Sequence, residues 1–209
     1  MDNNFLYEVE TRVFFDSHNE ANDLIPFLKD SLKNEIEWET RMYGLDLFKS
    51  GELLRVSDVY SNKIKKVFLG YKDRDIGKLC NIRVEQDEEI TEGIQDSVIL
   101  NNICKKSIIL YPNNVNQILE SMGYLQFMAF TGVSLTGKYE ELGLSLKLME
   151  CPTLEYPLLL EIEKIERTYE DALKAEIELC SFINKNGLQK RVIRKEPPTL
   201  LYEKIFKIQ

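Results

Sequence analysis

Alternating apolar and polar residues run through most of this chain, and that alternation predicts strands more often than helices. Residues 6–15 read Leu-Tyr-Glu-Val-Glu-Thr-Arg-Val-Phe-Phe. At a period of two, Glu8, Glu10 and Arg12 share one face, with Val9 and Val13 on the other. Residues 36–45, 52–59, 63–72 and 79–90 predict four further strands, with Asp73-Arg74-Asp75 and Gly77 as turn chemistry between the last two. Residues 107–111, 126–139 and 142–149 predict three more; in the last, Leu142, Leu144, Leu146 and Leu148 face one way and Ser145, Lys147 and Met149 the other. The run Leu158-Leu159-Leu160 then enters Glu161-Ile162-Glu163, which again places two carboxylates on one face.

Helical signals are fewer. Ser17-His18-Asn19-Glu20 has capping-box spacing and opens a predicted helix over 18–33, which Pro26 should kink. Pro112-Asn113-Asn114 opens a second, carrying Val115, Ile118, Leu119 and Met122 and stopped by Gly123. A third, over 169–186, carries Leu173, Ile177, Cys180 and Ile183 and ends at Gly187. Residues 91–106 show no clear period. The tail holds Lys190-Arg191 and Arg194-Lys195, then Pro197-Pro198 and a last apolar piece.

Many long strands and few helices predict an α+β protein, mainly antiparallel β, closed into a barrel because closure removes exposed edges. Charges recur at period two on strands whose other face is apolar: Glu8, Glu10 and Arg12; Arg83, Glu85 and Asp87; Glu161 and Glu163. Two readings fit this pattern. The charged faces are either the solvated side of an ordinary sheet or the wall of a polar lumen.

Composition narrows the class. The chain has 209 residues, 44% of them hydrophobic and 30% charged, with no internal repeat, so residues 1–209 read as a single soluble domain. No apolar run approaches the roughly 18 residues of a membrane span, and Met1-Asp2-Asn3-Asn4 lacks the features of a signal peptide. Cys80, Cys104, Cys151 and Cys180 form no C-x-x-C pair, which predicts reduced thiols, a cytoplasmic location and no zinc site. A net charge of −8 argues against duplex nucleic acid, though not against an enclosed basic site. The only histidine, His18, falls in a solvated first helical turn and leaves little for His-based nucleophilic catalysis.

The ordered motifs resemble the CYTH domain, the triphosphate tunnel metalloenzyme fold. Glu8-Val9-Glu10-Thr11-Arg12 is similar to its opening E-x-E-x-K signature. Trp38-Glu39-Thr40-Arg41-Met42-Tyr43 stands at its Q-x-D-x-Y strand, Leu53-Leu54-Arg55-Val56-Ser57 at L-R-x-R, and Phe68-Leu69-Gly70-Tyr71-Lys72 at a strand ending in lysine. Arg83-Val84-Glu85 resembles R-x-E, Glu161-Ile162-Glu163 resembles F-x-E-I-E, and Leu201-Tyr202-Glu203 resembles Y-x-E-L. The similarity spans roughly residues 5–204.

The resemblance implies an eight-stranded antiparallel tunnel with flanking helices. It implies Mg²⁺ or Mn²⁺ on Glu8, Glu10, Glu161 and Glu163. Phosphate would lie on Arg12, Arg55, Lys72, Arg83 and Lys147, with Glu8, Glu10, Arg12 and Arg55 as the catalytic set. The chemistry is coherent, since carboxylate oxygens suit hard divalent ions and cations neutralise phosphoryl oxygens. The chain also departs from the pattern. Aligned on Tyr139, Ser134 and Thr136 stand where the family has a K-x-R pair, and Lys147 stands where an inward aspartate is usual. Arg12 replaces lysine in the first motif and Ser57 the second arginine of L-R-x-R. Three functions stay open: metal-dependent hydrolysis of inorganic, nucleoside or thiamine triphosphate; class IV adenylyl cyclase activity on ATP; and a phosphate- or nucleotide-binding protein without turnover. The sequence leaves a monomer or a homodimer open.

Overall fold

The structure, a computed structural model, describes residues 6–90, 97–103, 114–156 and 158–207. The predicted strand over 107–111 and Cys104 lie outside the described residues.

Eight strands close into an antiparallel barrel. They are β1 (Leu6–Phe15), β2 (Leu32–Tyr43), β3 (Leu53–Ser61), β4 (Ile64–Lys72), β5 (Asn81–Glu89), β6 (Gln126–Tyr139), β7 (Leu144–Glu150) and β8 (Leu158–Glu166). The order is β5-β4-β3-β2-β6-β7-β8-β1, and a β1–β5 pairing shuts the ring. A two-residue strand, β9 (Val192–Ile193), adds to β1. The helices are α1 (His18–Leu24), α2 (Leu28–Ser31), α3 (Leu45–Lys49), α4 (Val98–Ile103), α5 (Val115–Ser121), α6 (Tyr169–Lys185) and α7 (Pro197–Phe206).

Register decides which charges meet. Glu161 pairs with both Arg12 and Lys147, Glu10 with Glu163, and Glu8 with Arg83. Lys72 pairs with Glu85, and Gly70 with both Arg55 and Asp87. Because antiparallel partners share a face, these charges all turn into one lumen. The polar lumen is therefore the correct reading of the period-two charges. The apolar alternates turn outward and are covered. Val9, Val13, Leu144, Leu146, Leu148 and Ile162 pack under α1, α2 and α6 against Ala21, Leu28, Ala175 and Leu179. Leu54, Val56 and Leu69 pack under α4 and α5 against Ile99, Ile118 and Leu119.

The structure corrects several local expectations. The helix expected over 18–33 is two short ones, because Pro26 falls in the turn between them, and β2 begins already at Leu32. The strand expected over 36–45 stops at Tyr43. Gly44, at φ 69°, takes the left-handed conformation that opens α3. The last apolar piece is a ten-residue helix, α7, entered through Pro197 and Pro198. Its Leu201 joins Trp38, Met42, Leu53, Phe130 and Leu159 in an apolar cluster, while Pro197 and Pro198 line the lumen. The start of α7 thus contributes to the lumen wall. Cys80 and Cys180 bring their sulfurs to 3.6 Å across the β5–α6 contact, and both are free thiols.

Candidate functional site

The lumen holds a cavity of about 540 Å³. Its acidic side is built around Arg12, which is fully buried. The Arg12 guanidinium donates from Nε to Glu161 at 2.8 Å and from Nη2 to Glu196 at 2.7 Å, and lies 2.5 Å from a Glu10 oxygen. Burial alone would weaken its charge, but Glu10, Glu196 and Glu161 outweigh burial and hold its proton well above the usual value. One oxygen each of Glu10, Glu161 and Glu196 lie within 4.8 Å of one another. Two buried oxygens here, Glu10 Oε1 and Glu196 Oε1, have no hydrogen-bond partner among the described residues. Convergent, under-satisfied carboxylate oxygens are the donor set a hard divalent cation prefers. The cluster therefore fits such an ion.

Beside it, Lys72 reaches the Glu8 carboxylate in a tight ion pair and lies 3.5 Å from both Glu10 and Glu85. Burial opposes its charge, yet Glu10, Glu8 and Glu85 raise its pKa. Arg55 bridges Glu85 at 2.7 Å and Asp87 at 2.9 Å. Arg83 donates to the carbonyls of Gly51 and Asp73, each at 3.1 Å, and stands 3.3 Å from Glu196. Lys147 lies 3.1 Å from Glu161 and 5.8 Å from the centre of the Trp38 ring.

These surroundings split the carboxyls. Burial works against Glu161 and Glu196, but Lys147 and Arg12 pull Glu161 down to about 2, and Arg12 and Lys72 pull Glu196 to about 2. Glu8 and Glu163 go the other way. Burial raises both, reinforced by Glu10 at Glu8 and by Glu161 at Glu163.

Every site residue expected from the sequence lies on the lumenal face, but at different depths. Glu8, Arg55, Lys72, Lys147, Glu161 and Glu163 line the cavity. Glu10, Arg12 and Arg83 stand behind that wall among their ion-pair partners. Glu196, which the sequence reading did not single out, joins the lumenal carboxylates. It precedes Pro197 at the cap of α7 but makes no side-chain cap bond, and its carboxylate turns into the barrel instead. An acid between the basic Arg194-Lys195 and Pro197-Pro198 was the available signal. Ser134 and Thr136 serve the framework: Ser134 Oγ accepts from the Trp38 indole at 2.8 Å, and Thr136 donates to the Asn34 carbonyl at 3.4 Å. His18 sits in the first turn of α1 and pairs with Glu150 on the outside.

No protein-family model and no curated protein matches the sequence. Solved structures do. The chain is similar to the protein PH1819 of Pyrococcus horikoshii OT3, at 20% identity and a TM-score of 0.70, over 94% of this chain and 99% of that one. It is similar to a candidate adenylate cyclase of Vibrio parahaemolyticus, at 12% identity and a TM-score of 0.65, over 94% and 98%. It is also similar to HpAC1 of Hippeastrum, a candidate adenylyl cyclase described as having a dominant triphosphatase activity, at 19% identity and a TM-score of 0.57, over 95% and 96%. At these identities the likeness establishes the fold. It is a closed eight-stranded antiparallel barrel, the architecture that the ordered motifs implied. Among the described residues, no helix is long and apolar enough to cross a membrane.

Proposed function

We propose that this barrel binds a triphosphate group with Mg²⁺ or Mn²⁺ and hydrolyses it. The observation that carries the reading is the lumenal apposition of a buried carboxylate cluster, Glu10, Glu161 and Glu196, with three cations that reach the cavity, Arg55, Lys72 and Lys147.

Glu10, Glu161 and Glu196 would hold the metal, which supplies positive charge against the phosphoryl oxygens. Arg55, Lys72 and Lys147 then orient the chain of phosphates by charge-assisted hydrogen bonds and oppose the negative charge of the leaving group. Glu8 and Glu163, which line the cavity and whose carboxyls burial holds above the ordinary range, are placed to accept a proton from an attacking water. Arg12 acts through its neighbours, fixing the three carboxylates in one geometry. Arg83 does the same for Glu196.

Phosphate release from tripolyphosphate, ATP and thiamine triphosphate, with and without Mg²⁺ or Mn²⁺, tests the proposal. The expected result is release that needs the metal and falls at least ~100-fold in Glu10→Gln and Glu196→Gln, which keep the side-chain shape and remove the charge. Absence of metal-dependent release from all three would refute it. Two structural relatives are described as candidate adenylate cyclases, so the same ATP reactions are to be assayed for cyclic AMP. Cyclic AMP with pyrophosphate, in place of phosphate, would assign the cyclase reaction. Ligand-induced stabilisation without any product would assign a binding protein.

A further inference from the structure

Two of the cysteines meet where the barrel touches α6. Cys80 stands just before β5 and Cys180 lies in α6, 100 residues further along the chain, yet their sulfurs are 3.6 Å apart. Neither lines the lumen cavity.

The backbone around the pair is held from two sides. Glu176, one helical turn before Cys180 and on the same face of α6, accepts the N–H groups of Lys78, Leu79 and Cys80 on one carboxylate oxygen, at 2.8, 2.7 and 3.0 Å. Arg194 donates to the carbonyls of Lys78, Gly77 and Cys80, at 2.8, 3.1 and 3.1 Å. Ala175, Leu179 and Ile183 bury the adjoining face of α6. The two backbones are therefore fixed relative to each other, and the side chains keep their rotation about Cα–Cβ. A disulfide bond is about 2.0 Å long, so the sulfurs must approach by roughly 1.6 Å, a distance that side-chain rotation can cover.

The two thiols are not alike. Cys180 is partly exposed and open to a small oxidant, whereas Cys80 is buried. Burial and the neighbouring Cys180 raise the Cys80 thiol, against a weaker pull from Arg194. An accessible thiol beside a buried one is the arrangement of an attacked sulfur with its resolving partner.

We propose that Cys180 and Cys80 form a redox modification site whose substrate is a small hydroperoxide. The Cys180 sulfur attacks a peroxide oxygen and the O–O bond breaks. An alcohol, or water from hydrogen peroxide, leaves with the thiol proton, and Cys180 becomes a sulfenic acid. The Cys80 sulfur then attacks the Cys180 sulfur. The S–S bond forms as the S–O bond breaks, and the hydroxyl leaves as water with the Cys80 proton. The two thiols have together lost two electrons, and the hydroperoxide has gained them. A thiol reductant reverses the bond by exchange. The disulfide staples the entry of β5 to α6 across a loop of about 100 residues, which restricts the unfolded chain and so stabilises the fold. The site is independent of the triphosphate reading.

The protein, reduced and then freed of reductant, is to be treated with a few equivalents of hydrogen peroxide near neutral pH and mapped by non-reducing peptide mass spectrometry. The expected product is a cross-linked pair of peptides containing Cys80 and Cys180, lighter by two hydrogens than the reduced pair and lost on adding dithiothreitol. Tm should rise by about 4 °C or more on oxidation. Cys80→Ser should stop at a Cys180 sulfenic acid that dimedone traps, and Cys180→Ser should leave Cys80 reduced. The cross-link and its reversal are read in wild type, so the test stays decisive if a substitution unfolds the protein. Cys180 carried to sulfinic acid with Cys80 still free, a disulfide routed through Cys104 or Cys151, or a linked protein that melts no higher than the reduced one overturns the proposal. So do thiols left unchanged by a peroxide excess that oxidises free cysteine.

Discussion

Arg12→Met is the substitution that most directly probes the acidic cluster. The methionine keeps an unbranched apolar stem and removes the guanidinium. In the native barrel that group meets Glu10 at 2.5 Å, Glu196 at 2.7 Å and Glu161 at 2.8 Å. Removing one partner of a buried ionic network leaves uncompensated charge and costs about 3–5 kcal/mol. For a domain of this size each kcal/mol moves Tm by roughly 2–4 °C, so the variant should melt about 6–20 °C lower without metal. Urea unfolding in EDTA, followed by circular dichroism and Trp38 emission, measures the loss. A divalent ion should then reverse much of it, since it supplies the charge the arginine no longer does. The variant should bind Mn²⁺ at least about tenfold more tightly than wild type, an advantage of roughly 1.4 kcal/mol or more, and should gain correspondingly more stability from the ion. If Arg12→Met lies within about 1 kcal/mol of wild type in EDTA, or gains no more from Mn²⁺ than wild type, the guanidinium is not what holds these carboxylates together.

Glu176 of α6 accepts the backbone N–H groups of Lys78, Leu79 and Cys80 on one oxygen, at 2.8, 2.7 and 3.0 Å. Burial opposes its charge but these three donors lower its pKa, so its contribution is full above the unfolded value of about 4.3 and fades as pH falls through the lower folded value. Glu176→Gln should therefore cost about 1–3 kcal/mol at pH 7 and less on acidification below about pH 4, and a gap in urea unfolding that does not shrink would refute this. Gly132→Ala would press a methyl into the Trp38 ring and to 2.5 Å from the Glu150 carbonyl oxygen. It should lower stability by about 1–3 kcal/mol and alter the tryptophan emission, and an unchanged spectrum would contradict the packing described. Burial and the neighbouring Cys180 raise the Cys80 thiol, so iodoacetamide near neutral pH should label the partly exposed Cys180 well before Cys80, as peptide mass spectrometry would resolve.

The strand alternations were legible because a strand's period is the same wherever it sits, and the barrel kept them: Glu8, Glu10 and Arg12 share a face in the sequence and in the lumen. What the pattern could not decide was whether that face met water or its own kind. Closure decides it, through the long-range pairings β1–β5 and β2–β6, which no local signal encodes. Glu196 offered only a weak signal, for a related reason. Its role depends on where α7 docks, and an acid before two prolines reads locally as an ordinary helix entry. Ser134 shows the converse limit. Against the family pattern it reads as a lost cation, a gap in the phosphate clamp. In the barrel the position is occupied for another purpose, since its hydroxyl fixes the indole of Trp38 while Lys147, one strand over, carries positive charge to the same corner. Ser134 and Lys147 thus serve one corner of the lumen, where the indole of Trp38 is held beside the carboxylate that Lys147 reaches, and neither contact is encoded by the spacing of residues along a single strand.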